Sequence, residues 1–545
     1  MAARRGRDRS AVAPWWKAWR RGDLPHDLFA GLMGTISTVP EAMAFALLAG
    51  LPAHMGIYAL FLPILAYFLL GTSRDLSLSP TAPVVALLAS TVVPIAGDDP
   101  DRYVAVALLV SWLAGGILLA AGLLRLGYAA SFVSRPVLDG YFAGASLLIA
   151  ASQVPLLLGL NGGGLDVAEI ARSLAAGWGE LEPGEVALGA GLLALLYLLH
   201  AAGLRAIGPG VAVAAGAAAV GLLGLQAPVV GAIPAGLPDL HLPAIGGGAV
   251  ARALPGAAAI ALVAFLDSVS TARAFAGQNG YRIDPDRELL ALGAANVAAG
   301  ASGAAPVSGN LADTLLLEEA GARTPVTTLV TVALVLVLLL AGADFPRIPL
   351  AAFAAIVVHA VVRPGLFAAL RRTFAEDRVE FAAGLLCLAG VLTIGLVRGL
   401  LIAMGLTVLR MLALTNHLPL RTYGVVRDPA PALVDPDGGG RPVDTLLFQP
   451  LGGLFFASAG SVVDRMRARI ARAPALRRVV IDLRAVPWVD LTACDYLAAL
   501  ARELAARDVA LLAVRVRAEV AERFRRCGLG DLLAAEAELS HLLDG

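Results

Sequence analysis

Apolar residues in this chain fall into long blocks instead of alternating with polar ones. A helix that crosses a bilayer needs about 20 mostly apolar residues, and the chain supplies one such block after another from Asp27 onward. The pattern predicts fourteen membrane segments. Seven are 27–49, 55–71, 81–95, 103–124, 136–158, 184–202 and 208–225. The other seven are 255–276, 288–303, 309–318, 325–342, 349–368, 379–397 and 399–415. The third and the tenth are short. Past residue 440 the pattern changes. Short strands over Thr445–Gln449, Gly453–Ala457, Arg478–Leu483 and Val509–Val516 alternate with helices over Ser461–Ala473 and from Val489 onward. Strands and helices of that length predict a soluble α/β sandwich. The expected organisation is a tail at 1–26, a helical membrane body at 27–416, a linker at 417–440 and a soluble domain at 441–545.

Composition supports the division. Of 545 residues, 58% are hydrophobic and 15% charged, where a soluble domain carries about 25% charge. Mean hydropathy is +0.77. A soluble enzyme is excluded as the main part of the chain, and so is disorder. Forty-two basic residues balance forty-two acidic ones, so no global basic surface points to nucleic acid. Well over a third of all charges follow Arg421, which leaves the body sparsely charged. Three scattered cysteines, Cys387, Cys494 and Cys527, form neither a disulfide framework nor a metal knuckle. His54, His200 and His359 have no metal-ligand spacing. No phosphate-binding loop appears, which argues against ATP-driven transport.

Loop charge sets the expected orientation. With the basic tail (Arg4, Arg5, Arg7, Arg9, Lys17, Arg20, Arg21) inside, the inner loops carry Arg74, Arg125, Arg135, Arg205, Arg273, Arg282, Arg287, Arg323, Arg371 and Arg372. The opposite loops carry mainly Asp98, Asp99, Asp101, Asp166, Glu180, Glu182 and Asp239. This is the positive-inside bias. An even number of crossings then returns the soluble domain to the cytoplasm of a bacterial-type inner membrane.

Two places interrupt the apolar blocks in the same way. Ser79-Pro80-Thr81-Ala82-Pro83 opens the third segment, and Gly303-Ala304-Ala305-Pro306-Val307-Ser308-Gly309-Asn310 opens the tenth. Such backbone is tolerated at membrane depth only when it is buried in protein or lines a cavity. Each break follows a helix carrying an acid: Glu41 lies forty residues before Thr81, and Asp267 forty-one before Ser308. Seven segments per half with matched anomalies predict a 7+7 inverted repeat, as in secondary transporters. Two short helices then aim their N-termini at one spot, where free N–H groups and positive dipole ends favour an anion. The candidate anion ligands are the backbone around Thr81–Ala82 and Ser308, Gly309 and Asn310. Glu41 and Phe45 are candidates for the same wall. Acids inside a membrane are costly and mark ion pathways. Asp267 is therefore the candidate coupling residue, either as a proton carrier or, with the hydroxyls of Ser270 and Thr271, as a ligand for Na⁺. No other cofactor is implied.

Val39-Pro40-Glu41-Ala42-Met43-Ala44-Phe45-Ala46, followed by Gly50-Leu51-Pro52, resembles the first-helix signature of the sulfate permease (SulP) family. Leu266-Asp267-Ser268 to Phe275 resembles its eighth-helix motif, Arg287-Glu288-Leu289 to Asn296 the start of the ninth helix, and Pro306 to Gly309 the break before the tenth. The soluble domain resembles the STAS module that ends most members. The resemblance implies a secondary active transporter of small anions (sulfate, bicarbonate or a small dicarboxylate), not an enzyme. It also implies core and gate subdomains with elevator-type movement, a homodimer, and H⁺ or Na⁺ coupling at a position matching Asp267. One departure stands out: Asp313 occupies a position near which many members carry a basic residue, so Asp313 joins the candidate coupling groups. An uncoupled anion channel or exchanger, and a nucleobase-type permease of the same membrane fold, are the alternatives. Asp490 and Thr492 occupy the loop that is phosphorylated in signalling relatives of STAS; a helix N-cap is the competing reading for Asp490.

Overall fold

The computed structural model describes residues 20–97, 99–131, 135–160, 164–225, 227–230, 236–242, 247–342, 348–362, 366–416, 418–426, 432–434 and 444–533. The basic tail up to residue 19 lies outside these. The chain divides into two compact units, 1–407 and 408–545.

The first unit is helical. Its first half comprises α1 (Leu24–Leu48), α2 (His54–Tyr58), α3 (Leu62–Leu70), α4 (Ala82–Ala96), α5 (Pro100–Leu123), α6 (Arg135–Leu157), α7 (Val167–Gly177), α8 (Pro183–Ala201) and α9 (Gly208–Leu223). Its second half comprises α10 (Gly247–Asn279), α11 (Pro285–Ala301), α12 (Leu311–Glu319), α13 (Val326–Ala341), α14 (Leu350–Val361), α15 (Ala368–Glu376), α16 (Arg378–Ile394) and α17 (Leu396–Asn416), the last running into the second unit. Every apolar block marked in the sequence falls on a helix. The 55–71 block is divided into α2 and α3 by a turn. Two helices were not anticipated, α7 and α15. Both are too short and too polar on one face to stand out from loop sequence. Among the described residues, α1, α5, α6, α8 and α10 are each long and apolar enough to cross a membrane alone.

The helices sort into two packed groups. In one, α5 lies against α11, α10 and α4, α3 against α11, and α1 against α13, α12 and α2. In the other, α6 lies against α16 and α14, and α14 against α8 and α9. Contacts between the groups run through α1 with α14 and α9, and through α4 with α6. Glycines permit the closest approaches. A Cβ on Gly115 would lie 2.5 Å from the Val297 amide, and one on Gly140 would lie 2.0 Å from the Gly384 carbonyl. Small residues at such crossings are how apolar helices gain van der Waals contact in lipid.

Two wholly buried carboxylates tie the first group together. Glu288 accepts from Tyr67 Oη (2.6 Å), the Thr72 amide (2.7 Å), Thr72 Oγ1 (2.5 Å) and the Ser73 amide (3.0 Å). Asp27 accepts from the Arg323 amide (2.7 Å), the Thr324 amide (3.1 Å), Thr324 Oγ1 (2.5 Å) and Thr327 Oγ1 (3.1 Å). A buried carboxylate is tolerated only when its lone pairs are filled in this way.

The second unit is built on a sheet of β3 (Leu420–Val426), β4 (Ala432–Val434), β5 (Thr445–Pro450), β6 (Arg478–Asp482) and β7 (Ala510–Val514), ordered β4-β3-β5-β6-β7. The last three are parallel, and β3 runs antiparallel to β5. Among its described residues three α-helices belong to it, α18 (Ala459–Ile470), α19 (Leu491–Ala505) and α20 (Ala518–Arg526). Leu446, Phe448, Val479 and Ile481 point into the core under these helices, while Leu447 and Val480 join a smaller cluster with Tyr423. Two expectations are corrected. The stretch 417–440, read as a linker, contains β3 and β4, so the sheet begins before residue 441. Gly453–Ala457, read as a strand, makes a single bridge between Leu454 and Val489. Leu454 is buried in the core, while Phe456 is exposed.

Candidate anion and coupling site

The two interruptions meet. Leu78–Ser79 and Ser308–Gly309 form short strands β1 and β2, paired antiparallel with Ser79 opposite Ser308. From this ladder α4 and α12 depart. At 1.5 Å per residue they are about 22 and 14 Å long, well short of the roughly 30 Å hydrocarbon core. Antiparallel pairing of equivalent segments is what opposite insertion of two halves requires. Ser308 Oγ and Thr81 Oγ1 lie 2.7 Å apart across the junction.

Beside the ladder lies a cavity of about 420 Å³. Glu41 and Phe45 of α1, Thr81, Ala82 and Pro83 at the start of α4, Asp267 of α10, and Asn310 and Leu311 at the start of α12 line one side. Phe142, Ser146 and Ile149 of α6, Ala360 and Val361 of α14, and Leu366 line the other. The cavity thus sits between the two packed groups of helices. Glu41 follows Pro40, whose ring nitrogen cannot donate to the carbonyl of Ile36 one turn back.

Six of the candidates share this wall: Glu41, Phe45, Thr81, Ala82, Asp267 and Asn310. Five do not. Ser308 and Gly309 lie behind the wall, and the Gly309 amide donates to Ser268 Oγ at 2.7 Å. The Asn310 amide donates to the Ser77 carbonyl at 2.9 Å. Both amides are therefore already taken, one by the Ser268 hydroxyl and the other by the Ser77 carbonyl, so neither is left for an anion. Ser270 is exposed, and neither it nor Thr271 lines the cavity. Ser270 lies one turn from Asp267 on α10, yet its side chain is exposed away from the cavity. Asp313 is buried outside the wall, accepting from Ser79 Oγ at 2.9 Å and Asn310 Nδ2 at 3.0 Å.

The ends of the short helices differ. Asn310 caps α12, its Oδ1 accepting from the amides of Ala312 (2.9 Å) and Asp313 (3.3 Å). Its Nδ2 donates toward Ser79 Oγ (3.1 Å), Asp313 Oδ2 (3.0 Å) and, at 3.5 Å, Glu41 Oε1. No side chain caps α4: Thr81 stands at its N-cap without a side-chain bond to the first turn. Pro83 has no N–H, so the first turn of α4 offers the amides of Ala82 and Val84; Thr81, Ala82 and Pro83 line the cavity, which brings the positive end of the α4 dipole to its wall.

Sequence reasoning missed three positions. Ser79 and Ser268 hold the two interruptions in register. Asn296 clamps Val307, donating to its carbonyl and accepting from its amide, both at 3.0 Å. Their signal was present, since each is a polar residue in an apolar setting, but partners 11 to more than 200 residues away are invisible to helical spacing. In the second unit, Asp490 Oδ1 accepts from the Ala493 amide at 2.8 Å, the N-cap of α19, and Oδ2 accepts from the Phe456 amide at 2.8 Å.

A helical body with paired broken helices and a cavity between two helix groups, joined to a STAS-like α/β unit, defines a multi-pass membrane protein of transporter architecture. The sulfate permease family matches residues 24–385, and the STAS domain matches 441–541. A probable sulfate transporter of Mycobacterium tuberculosis is 33% identical over 527 residues, covering 95% of this chain and 93% of the relative. The chain belongs to the sulfate permease family. Among solved structures, a murine solute carrier 26 family member A9 anion transporter in the inward-facing state superposes with a TM-score of 0.86 at 20% identity, over 98% of this chain and 92% of that one. The transmembrane domain of the cyanobacterial bicarbonate transporter BicA gives 0.60 at 23% identity, over 72% and 98%.

Proposed function

We propose that this protein is a secondary active transporter that moves a small anion together with a cation. One observation carries this reading. The cavity is lined by two acids, Glu41 and Asp267, and by no cationic side chain among the described residues, while an uncapped helix N-terminus opens onto it. The α4 amides and dipole favour an anion. Two nearby carboxylates repel it unless a proton or cation neutralises at least one of them, because like charges in a low-dielectric pocket interact strongly. Anion and cation therefore occupy the site together. A proton fits better than Na⁺, since of the oxygen ligands expected around Asp267 neither Ser270 nor Thr271 reaches the cavity. Sulfate is the first substrate to test, because the mycobacterial relative is a probable sulfate transporter, with bicarbonate next because the cyanobacterial one is a bicarbonate transporter.

The same reading places fourteen crossings in the inner membrane, with the tail and the STAS unit in the cytoplasm, in a homodimer. The group carrying α1, α4, α10 and α12 moves as a block past α6 and α14. The test is uptake of labelled sulfate, bicarbonate, succinate and uracil into proteoliposomes, with and without inward H⁺ or Na⁺ gradients. The expected result is anion accumulation that follows the proton gradient. Asp267→Asn is expected to abolish that accumulation while the protein inserts and melts as wild type. Anion flux indifferent to both gradients would make the protein an uncoupled conductor, and uptake of uracil alone would make it a nucleobase permease.

A further inference from the structure

The soluble unit holds a cleft that transport does not use. Beyond the carboxyl ends of β6 and β7, Arg484, Arg515, Arg517 and Arg525 line one open cavity of about 650 Å³. Two features of the chain bring them together. Arg484 follows β6 by two residues and Arg515 follows β7 directly, so the two arrive side by side from adjacent parallel strands. Arg517, the N-cap of α20, is followed at intervals of four by Ala521 and Arg525 on one face of that helix, and all three line the cavity. Ligands of open α/β sheets bind in the crevice outside the carboxyl ends of the strands, which is where this cleft lies.

The arginines outnumber their acidic partners. Buried Asp482 accepts from Gln449 Nε2 and the Arg484 amide, both at 3.0 Å, and meets Arg515 Nη1 at 3.5 Å. Glu522 lies 3.5 Å from Arg525 and also binds Arg526 at 3.0 Å. Among the described residues no carboxylate pairs with the side chain of Arg484 or Arg517. Arg515 is also held at φ 52°, a left-handed conformation uncommon for a residue with a side chain. Strain of this kind concentrates at ligand sites.

Guanidinium forks match the paired oxygens of phosphate-type anions. The described wall contains no aromatic ring, so a nucleobase has nothing to stack on. We propose that this cleft binds a compact, multiply charged oxyanion of the pyrophosphate type, at a site separate from the transport cavity.

The test is calorimetric titration of the full-length protein in detergent at low salt, with inorganic pyrophosphate as the probe. Wild type is expected to show one saturable site. Arg484→Ala with Arg517→Ala is expected to weaken it at least tenfold while the circular dichroism spectrum and melting temperature stay as in wild type; both side chains are exposed, so their loss leaves the core intact. Thr81→Asp, which alters the transport cavity, is expected to leave the titration unchanged. Absence of saturable binding, or equal affinity in the double variant, would overturn the proposal. Binding lost in Thr81→Asp would reassign the anion to the transport cavity. ADP binding ten times more tightly than pyrophosphate would replace the compact oxyanion with a nucleotide.

Discussion

Asn310 does two things with one side chain. Its carbonyl oxygen caps α12, and its amide nitrogen lies between Asp313, Ser79 and Glu41. Asn310→Ala removes both functions. Loss of the cap alone costs about 1 kcal/mol, and transport efficiency should fall at least tenfold as the neighbouring acids lose their shared donor. Asn310→Asp separates the two roles: an aspartate still caps, but it replaces the donor with a third carboxylate. That variant should melt near wild type and fail to transport; wild-type uptake would remove the donor from the mechanism. The identity of these residues was legible in the chain, since Glu41, Thr81, Asp267 and Asn310 all stood out as polar positions in apolar surroundings. Their aim was not. Asp313 turned toward Ser79 because the ladder placed a hydroxyl there, and the Gly309 amide was consumed by Ser268. Both outcomes depend on contacts between distant parts of the chain.

Helices carry the next set of consequences. With no cap, the first turn of α4 brings positive potential to the cavity wall without a charged side chain. Thr81→Asp supplies a cap that suits the helix dipole, so α4 should be as stable as before or up to about 1 kcal/mol more so. The same carboxylate covers the open amides and repels the anion, and uptake should drop by at least a hundredfold. Unimpaired uptake would show that α4 does not hold the substrate. The pairing of α5 with α11 offers a test of packing. A methyl on Gly115 meets the Val297 amide at 2.5 Å and the Gly293 carbonyl at 2.8 Å, and backbone cannot yield. Gly115→Ala should destabilise the body by roughly 1–3 kcal/mol. Gly116→Ala, with nothing within 4 Å, is the matched control and should be close to neutral. Apolar block length was enough to locate these helices. It could not separate α2 from α3 or reveal the amphipathic α7 and α15, whose composition resembles that of loops.

At the scale of the whole molecule, each unit has its own apolar core. Proteins built this way seldom melt in one step, so calorimetry of the purified chain should resolve two transitions. Leu497, buried in the STAS core, should on change to Ala lower only one of them, by about 2–5 kcal/mol. Cys494 gives an independent reading of the same event. Burial, aided by Cys527, pushes its thiol up to about 12, whereas an unfolded cysteine titrates near about 8.5. Between those values the folded unit keeps a proton that the unfolded chain releases, so its stability falls as pH rises. At pH 8 Cys494 should resist alkylation until the second unit opens, and rapid labelling of the native protein would contradict the buried, protonated thiol. The division into body and soluble unit was plain from charge density. The beginning of the sheet was not, because β3 and β4 lie in sequence that otherwise resembles a connector. The ladder between β1 and β2 also bears on biosynthesis. Ser79 waits for Asp313, which is translated 234 residues later. At ribosomal speeds of about 5–20 residues per second, that is roughly 10–50 seconds. For that interval a half-made chain holds an unsatisfied polar break within the lipid, and the insertion machinery must shelter it until its counterpart emerges.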